Sequence, residues 1–346
     1  MTQSLKKHFL ELLLTELTKM VSLKEAKIAS LAGSGIEARL WREKGVPAQN
    51  AWLIDSNPAV IRTMLKKQNQ HPYHLYRGMA YTFPAVLYAH EGEAASLDLF
   101  HLDLYGGVEK SLRDVASLVP LVARSRAKLF ALTVSDQRSH HATLNAGGLW
   151  RFINEVYGKR SLEILQSITQ SHFESVAAQH AMIDPFSSVR REGATLLAWF
   201  CSQLGVEQGF EKETKDIYSL LAKYIRKARQ DKRLLYPVTS IERVSYADGQ
   251  RMKSYIIRLD STPVLLDQAL EQFTQAWVQS PLTFLDRDGI AVRSNRTLQK
   301  TAQSSPVLQD IVEIQGELDR LDELSKMLAP GLQKDLRKIL SLIRQK

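Results

Sequence analysis

The sequence contains a single cysteine, Cys201, among its 346 residues. One thiol excludes an intrachain disulfide and any cysteine-based zinc cluster, and such cysteine usage is typical of a cytoplasmic protein. Cys201 stands between Phe200 and Ser202 in an apolar stretch, which predicts a buried structural side chain. His140-His141 has no third ligand at metal spacing, so we expect no metal site.

Long hydrophobic runs and low-complexity tracts are also missing. The longest mainly apolar run near the start, Phe9–Leu14, is far shorter than a membrane span, so we expect neither a signal peptide nor a membrane anchor. No Pro/Ser or Gln/Asn tract indicates extended disorder, and the composition is that of a globular protein. The chain is therefore expected to fold throughout its length.

Basic residues outnumber acidic ones, 46 against 37, which gives a formal charge of +9. This excess favours an anionic partner, DNA or RNA above all, although basic proteins without such ligands are common. Charge alone therefore leaves both possibilities open.

The first part of the chain alternates apolar strand-like segments with amphipathic helices. Helices are predicted over 5–21, 36–44, from Asn57-Pro58 onward and over 111–122. Strands are predicted over 26–32, 51–54, 97–102 and 128–134, with weaker candidates at 75–76 and 85–88. This alternation is typical of an α/β fold with a parallel, doubly wound sheet.

The later part of the chain has a different pattern. Helical periodicity dominates 149–232 and returns over 264–278 and 306–345, while 238–246 and 252–259 flank an Asp-Gly turn and predict an antiparallel β-hairpin. We expect a core over 1–148, a helical insertion over 149–234, the hairpin over 235–260 and a C-terminal helical region over 261–346. Apolar residues at spacings of three and four in the last region fit internal packing, a homodimer or a protein partner equally well.

A glycine turn follows the first predicted strand. Gly33-Ser34-Gly35 lets the backbone approach a ligand closely, and the next helix begins directly after it. Asp55 follows about twenty residues later at the end of the second strand, where a carboxylate can accept hydrogen bonds from both ribose hydroxyls of an adenosine cofactor. These residues alone fit either a dinucleotide or another adenosine-containing cofactor.

Three surrounding features narrow the choice: the N-terminal helix, Ile54-Asp55-Ser56-Asn57-Pro58, and Leu102-Asp103-Leu104-Tyr105-Gly106. Together with the glycine turn they resemble the motifs of class I S-adenosylmethionine-dependent methyltransferases. The resemblance implies a Rossmann-like, mostly parallel sheet closed by the antiparallel hairpin. Leu31-Ala32 stands where this family often has an acid, and Met79 lies roughly where it often has an adenine-contacting acid.

The resemblance also assigns residues. The expected cofactor-binding residues are Ala32, Gly33, Ser34, Gly35, Asp55, Ser56, Met79 and Asp103. Asp103 and Tyr105 are the candidate catalytic pair, because their string is similar to the acidic, aromatic motif of methyltransferases that act on exocyclic amines of nucleic-acid bases, although it lacks that motif's proline. The alternative is that Asp103 only ends a strand and binds the cofactor while Tyr105 packs.

A basic run near the hairpin offers a phosphate-contacting surface, with a solvated helix face as the alternative. Its members are Lys223, Arg226, Lys227, Arg229, Lys232 and Arg233. The sequence thus predicts a methyltransferase acting on nucleic acid. A second hypothesis is a catalytically silent module of the same fold that binds nucleic acid or protein. A nicotinamide-dependent oxidoreductase is a third, although no hydride-transfer pair stands out.

Overall fold

The computed structural model describes residues 5–33, 35–68, 73–104, 112–135, 158, 196, 199–204, 217–248, 250–280, 282–285 and 291–294. The α-helices whose bounds both lie in this part are α1 (Leu5–Thr18), α2 (Ile36–Glu43), α3 (Pro58–Gln68), α4 (Phe83–Glu91), α5 (Leu112–Ala123), α6 (Ile217–Gln230) and α7 (Leu266–Val278). The strands are β1 (Ile28–Leu31), β2 (Ala51–Asp55), β3 (His74–Arg77), β4 (Leu99–Asp103), β5 (Leu129–Ser135), β6 (Leu234–Leu235), β7 (Val238–Asp248), β8 (Gln250–Leu259), β9 (Val264–Leu265), β10 (Leu282–Leu285) and β11 (Ala291–Ser294).

Nine of these strands form one sheet in the order β11-β10-β7-β8-β5-β4-β1-β2-β3. The five neighbouring strands β5, β4, β1, β2 and β3 are all parallel to one another. The hairpin β7-β8 joins them with β8 antiparallel to β5, so that Leu132 pairs with Tyr255. This is the mostly parallel Rossmann-like sheet with an antiparallel hairpin that the class I methyltransferase resemblance predicts, and the predicted fold class is confirmed.

Helices cover both faces of the sheet because the strands are apolar on both. On one face α1 buries Phe9, Leu13 and Leu17, which belong to the same apolar cluster as Leu99. On the other face α5 packs in the cluster that holds Phe100, the next residue of β4. Successive side chains of a strand point to opposite faces, so β4 faces α1 with its odd-numbered residues. Asp103, the last residue of β4, therefore faces the α1 side.

One predicted strand is wrong. Residues 85–88 lie inside helix α4, which has Pro84 in its first turn, where a missing N–H costs nothing. Phe83 and Leu87 are one helical turn apart and are both fully buried, so the short apolar run has a helical rather than an extended period.

Four short strands were not predicted: β6 and β9, which pair with each other in a separate two-stranded sheet, and β10 and β11. β10 runs parallel to β7 and β11 pairs antiparallel with β10, which extends the sheet beyond the hairpin. The helix predicted over 264–278 is found as α7, whereas 306–345 and most of the insertion predicted over 149–234 lie outside the described residues. Within the part of the chain that the structure describes, no helix is both long enough and apolar enough to cross a membrane.

Candidate functional site

The candidate site lies at one edge of the sheet, where β1, β2 and β4 end. β1 lies between β2 and β4, and all three run parallel, so their carboxyl ends meet at the same edge. From β1 the chain continues to β2 and β3 on one side of β1, and it later forms β4 and β5 on the other side. The strand order therefore reverses at β1, and open α/β sheets bind ligands at such a switch point. The glycine turn follows β1, and Asp55 and Asp103 end β2 and β4.

The glycine turn uses backbone conformations that favour glycine. Gly33 and Gly35 have φ angles of 38° and 76°, and Gly35 immediately precedes the first residue of α2. A Cβ atom on Gly35 would lie 3.2 Å from Met64 Sδ, so there is also little space for a side chain. The N–H of Gly35 donates to the carbonyl of the buried Ala32, 3.1 Å away. The turn thus presents the start of α2, with its unpaired N–H groups, to the edge of the sheet.

Asp55 retains one carboxylate oxygen for a ligand. Its Oδ1 accepts the N–H of Asn57 at 2.7 Å, and Asn57 Oδ1 accepts the N–H of Ala59, at the start of α3, at 2.9 Å. Within the described part of the chain, Asp55 Oδ2 has no hydrogen-bond partner. The half-buried carboxylate is therefore fixed by one oxygen and open at the other.

Ser56 and Met79 flank Asp55 on the same edge. Ser56 follows Asp55 and is exposed, and Met79 follows Gly78, whose N–H donates to the carbonyl of Asp55 at 3.0 Å. The Met79 side chain is 51% exposed, which is unusual for a large apolar residue and leaves it available to pack on a flat ring. The structure thus brings together Ala32, Gly33, Gly35, Asp55, Ser56, Met79 and Asp103, whereas Ser34 and Tyr105 lie outside the described residues.

A group of three charged side chains, which the sequence analysis did not identify, lies beside the glycine turn. Lys6 Nζ, on α1, donates to Asp103 Oδ2 at 2.6 Å and lies 2.7 Å from Glu37 Oε1, on α2. Glu37 is fully buried, with a side-chain exposure of 0%, while Lys6 and Asp103 retain 16% and 12%. We call these residues the charged triad.

The charged triad holds two carboxylates against one ammonium group. Burial acts to lower the pKa of Lys6, but the attraction of Glu37 and Asp103 outweighs it and raises the pKa of Lys6 well above its ordinary value. Burial raises the pKa of Glu37, against the opposing attraction of Lys6. Neither oxygen of Glu37 accepts a well-aligned hydrogen bond from a described residue. Lys6 is therefore charged, and Glu37 is a buried carboxyl group whose Oε1 lies against the Lys6 ammonium group.

A row of polar side chains crosses the sheet beneath the charged triad. Ser30 Oγ lies 3.4 Å from His101 Nδ1, His101 Nε2 lies 3.0 Å from Thr133 Oγ1, and Thr133 Oγ1 lies 2.7 Å from Ser254 Oγ. Burial lowers the pKa of His101 to about 4, although nearby Asp103 acts in the opposite direction. His101 is therefore neutral at physiological pH and links two hydroxyl groups.

The residues of the basic run differ in their surroundings. Lys223, Arg226 and Lys227 are exposed on α6, because Ala222, Ile225 and Ala228 form its buried face. Arg229 Nε donates to Asp267 Oδ1 at 2.9 Å, and Arg233 Nη1 donates to the carbonyl of Leu204 at 3.0 Å. Lys232 is exposed in the turn after the helix. Only part of the predicted run therefore forms one continuous solvent-facing surface.

Cys201 has the buried position predicted for it. The side chain is fully buried, and burial raises the pKa of its thiol well above the ordinary value. A thiol of this kind is not a nucleophile at neutral pH.

Comparisons with known proteins assign neither a family nor an activity to this chain. No protein-family profile matches the sequence, and none of the curated proteins is similar to it. Among solved structures, one similar chain is a protein from Galdieria sulphuraria assigned as a sarcosine dimethylglycine methyltransferase, with 12% identity, a TM-score of 0.31 and coverage of 73% of this chain and 86% of that one. Another is PKMT2 from Rickettsia typhi, with 9% identity, a TM-score of 0.33 and coverage of 75% and 54% respectively. At these values the similarity assigns no activity.

Proposed function

We propose that this protein is a methyltransferase that binds S-adenosylmethionine at the edge formed by β1, β2 and β4. The observation that carries the proposal is the meeting of a glycine turn, the start of a helix and two carboxylates at the switch point of a mostly parallel sheet. A ligand at this point meets backbone donors from α2 and acceptors from β2 and β4.

The residues present fit an adenosine cofactor. Asp55 Oδ2 is available to accept hydrogen bonds from the ribose hydroxyls, and the exposed Met79 offers an apolar surface for the adenine ring. When bound, S-adenosylmethionine supplies an activated methyl group. The protein's own contribution is then to orient an acceptor against that group and to exclude water.

Asp103 is the candidate for orienting the acceptor. Its Oδ2 receives a hydrogen bond from Lys6, which fixes the carboxylate and leaves Oδ1 to accept an N–H of an acceptor amine. Tyr105 stays a candidate for stacking against the acceptor, as its sequence position suggests.

Radiolabelled methyl transfer to a panel of DNA, RNA and protein tests this proposal. We expect the wild-type protein to label at least one nucleic acid, and Asp103→Asn, which keeps the shape and removes the charge, to lower the rate by at least about a hundredfold. Glu93→Gln is the control, since Glu93 is exposed in the turn after α4. Equal rates for the two variants would exclude Asp103 from the reaction.

Nucleic acid is the acceptor that we propose. The support is the exposed basic face of α6 formed by Lys223, Arg226 and Lys227, together with the formal charge of +9. Labelling of protein alone would overturn this choice of acceptor and leave the methyltransferase proposal intact.

A second candidate function is a binding module that has the fold without the activity. Lys6 favours it, because its ion pairs to Glu37 and Asp103 stabilise the carboxyl edge without a ligand. The two functions differ in one measurement. The enzyme must bind S-adenosylmethionine and S-adenosylhomocysteine, whereas the silent module binds nucleic acid and neither of these compounds.

A further inference from the structure

Two exposed leucines lie at the edge of the sheet opposite the candidate site. Leu234, on β6, pairs with Leu265, on β9, and their side chains are 56% and 45% exposed. β7 follows β6 and begins at Val238 opposite Leu259, whose N–H donates to the carbonyl of Lys128 just before β5. The pair therefore lies near the amino ends of the parallel strands, whereas the candidate site lies at their carboxyl ends.

The end of α6 lies beside this apolar pair. Arg229 Nε donates at 2.9 Å to Oδ1 of Asp267, which is two residues after Leu265. Asp231 Oδ2 lies 3.9 Å from Arg233 Nε. Each of these two aspartates is thus close to an arginine, and neither balances the charge of the lysines around it.

Three exposed lysines of this region have no carboxylate partner within the described part of the chain. They are Lys223, Lys227 and Lys232. Lys232 has a φ of 50°, and its N–H donates to the carbonyl of Arg229 at 3.3 Å, which places it where a helix end favours glycine. A residue kept in an unfavourable conformation of this kind indicates a function for its side chain. We call the three lysines together with Leu234 and Leu265 the amino-edge patch.

Residues 307–324 have a composition complementary to the amino-edge patch. Their apolar residues recur at spacings of three and four, and six carboxylates stand against the single basic residue Arg320, a formal charge of −5. The apolar residues are Ile311, Ile314, Leu318, Leu321 and Leu324, and the carboxylates are Asp310, Glu313, Glu317, Asp319, Asp322 and Glu323. An acidic segment with an apolar stripe matches an apolar pair flanked by lysines.

The chain leaves the sheet in the direction of this patch. β11 is antiparallel to β10, which is parallel to β7, so β11 runs toward the amino edge and ends at Ser294. Ser294 lies two strands from Arg243, which is five residues along β7 from Val238, a separation of about 20 Å in the sheet. The layer of helices adds about 10 Å. Residues 295–306 span up to about 40 Å when extended, so the acidic segment reaches the patch.

We propose that residues 307–324 dock on the amino-edge patch of their own chain. Apolar side chains of the segment cover Leu234 and Leu265, and its carboxylates pair with the three lysines. This docking does not depend on the proposed function, because the patch is at the edge of the sheet away from the cofactor site. The patch includes lysines of α6, so a nucleic acid that binds the exposed face of α6 must displace the segment.

Cross-linking with a carbodiimide tests the docking in the unmodified 346-residue chain. The reagent joins an amine directly to a carboxylate that is in contact with it, and mass spectrometry identifies the linked peptides. We expect links between the patch lysines and the carboxylates of 307–324, with a yield that falls at least about fivefold between about 50 mM and about 1 M salt. Lys66, exposed on α3, is the control. Equal yields from Lys66 and the patch lysines would overturn the proposal.

An equal mixture of ¹⁵N-labelled and unlabelled protein shows which chain supplies the segment. Docking within one chain predicts links between peptides of the same isotope only. Links between labelled and unlabelled peptides in equal proportion would assign the segment to a second copy and overturn docking within the chain.

The double variant Leu234→Asp/Leu265→Asp tests the apolar contact. It should lower the yield of these links at least about fivefold, because it removes two apolar side chains and adds repelling charges. Leu65→Asp is the matched control, since Leu65 is 52% exposed on α3, and it should leave the yield unchanged. Wild-type yield in the double variant would contradict the proposal. If circular dichroism shows that the double variant does not fold, the salt dependence and the isotope pattern of the wild-type chain decide.

Discussion

The neutral, buried His101 makes the stability of the sheet sensitive to acid in a defined way. Its ring lies among Ser30, Thr133 and the ring of Phe9, whose centroid is 5.6 Å away. In the unfolded chain a histidine has a pKa of about 6.5, whereas burial lowers the pKa of His101 to about 4 in the folded protein. As the pH falls, the unfolded chain therefore binds the proton first. The stability associated with neutral His101 is present above the unfolded value and is lost as the pH falls toward the folded value.

The magnitude follows from this difference in pKa. A folded value of about 4 against an unfolded value of about 6.5 corresponds to at most about 3.4 kcal/mol, of which about 2.5 kcal/mol should be lost between about pH 7.5 and about pH 4.5. His101→Gln retains an amide that can reach Thr133 and does not titrate. We expect this variant to be less stable than wild type at the higher pH, because it loses ring packing, but to lose about 2.5 kcal/mol less on acidification.

Urea denaturation followed by tryptophan fluorescence at several pH values measures both quantities. His90→Gln is the control, because His90 is exposed at the end of α4, and this variant should show the pH dependence of the wild type. If His101→Gln and the wild type lose the same free energy of unfolding on acidification, the buried neutral histidine does not contribute as argued.

Two further predictions concern the cofactor turn and the basic helix. Gly35→Ala forces a side chain into a left-handed backbone conformation beside α3, and should cost about 1–2 kcal/mol of stability and raise the dissociation constant for S-adenosylhomocysteine at least about tenfold. Gly45→Ala is the control, because Gly45 also has a positive φ but has open space around it. Calorimetry should find that this variant is less stable but binds S-adenosylhomocysteine as the wild type does. Equal losses of binding in the two variants would contradict the role of the turn. Lys227→Glu should lower the slope of the logarithm of nucleic-acid affinity against the logarithm of salt concentration by about 1, as measured by fluorescence anisotropy. Lys66→Glu, on α3, should leave this slope unchanged. Identical salt dependence in both variants would remove α6 from the interface.

Local patterns in the sequence predicted most of the core elements. The spacing of Phe9, Leu13 and Leu17 specifies α1, and the glycine turn between an apolar segment and an amphipathic one specifies the β1–α2 unit. The Asp-Gly signal specifies the hairpin. These features depend on residues within one or two turns of each other. Residues 85–88 were assigned wrongly because four apolar residues are too few to distinguish a strand period from a helical one.

The charged triad could not be predicted in this way. Lys6 and Asp103 are separated by 97 positions, and they meet only because α1 packs on the face of the sheet toward which the end of β4 points. Glu37 carried a weak local signal, since it lies in the first turn of the helix that follows the glycines, where a carboxylate is favourable. Its burial is a property of the folded sheet and has no counterpart in the sequence pattern. The same holds for the row from Ser30 to Ser254, which crosses four strands.

Calorimetric titration of the wild-type protein with S-adenosylmethionine tests the central claim most directly. We expect saturable binding of one molecule per chain, with competition by S-adenosylhomocysteine for the same site. The absence of binding heat, together with an unfolding temperature that does not rise at saturating concentrations of either compound, would contradict the claim that this edge of the sheet is a cofactor site.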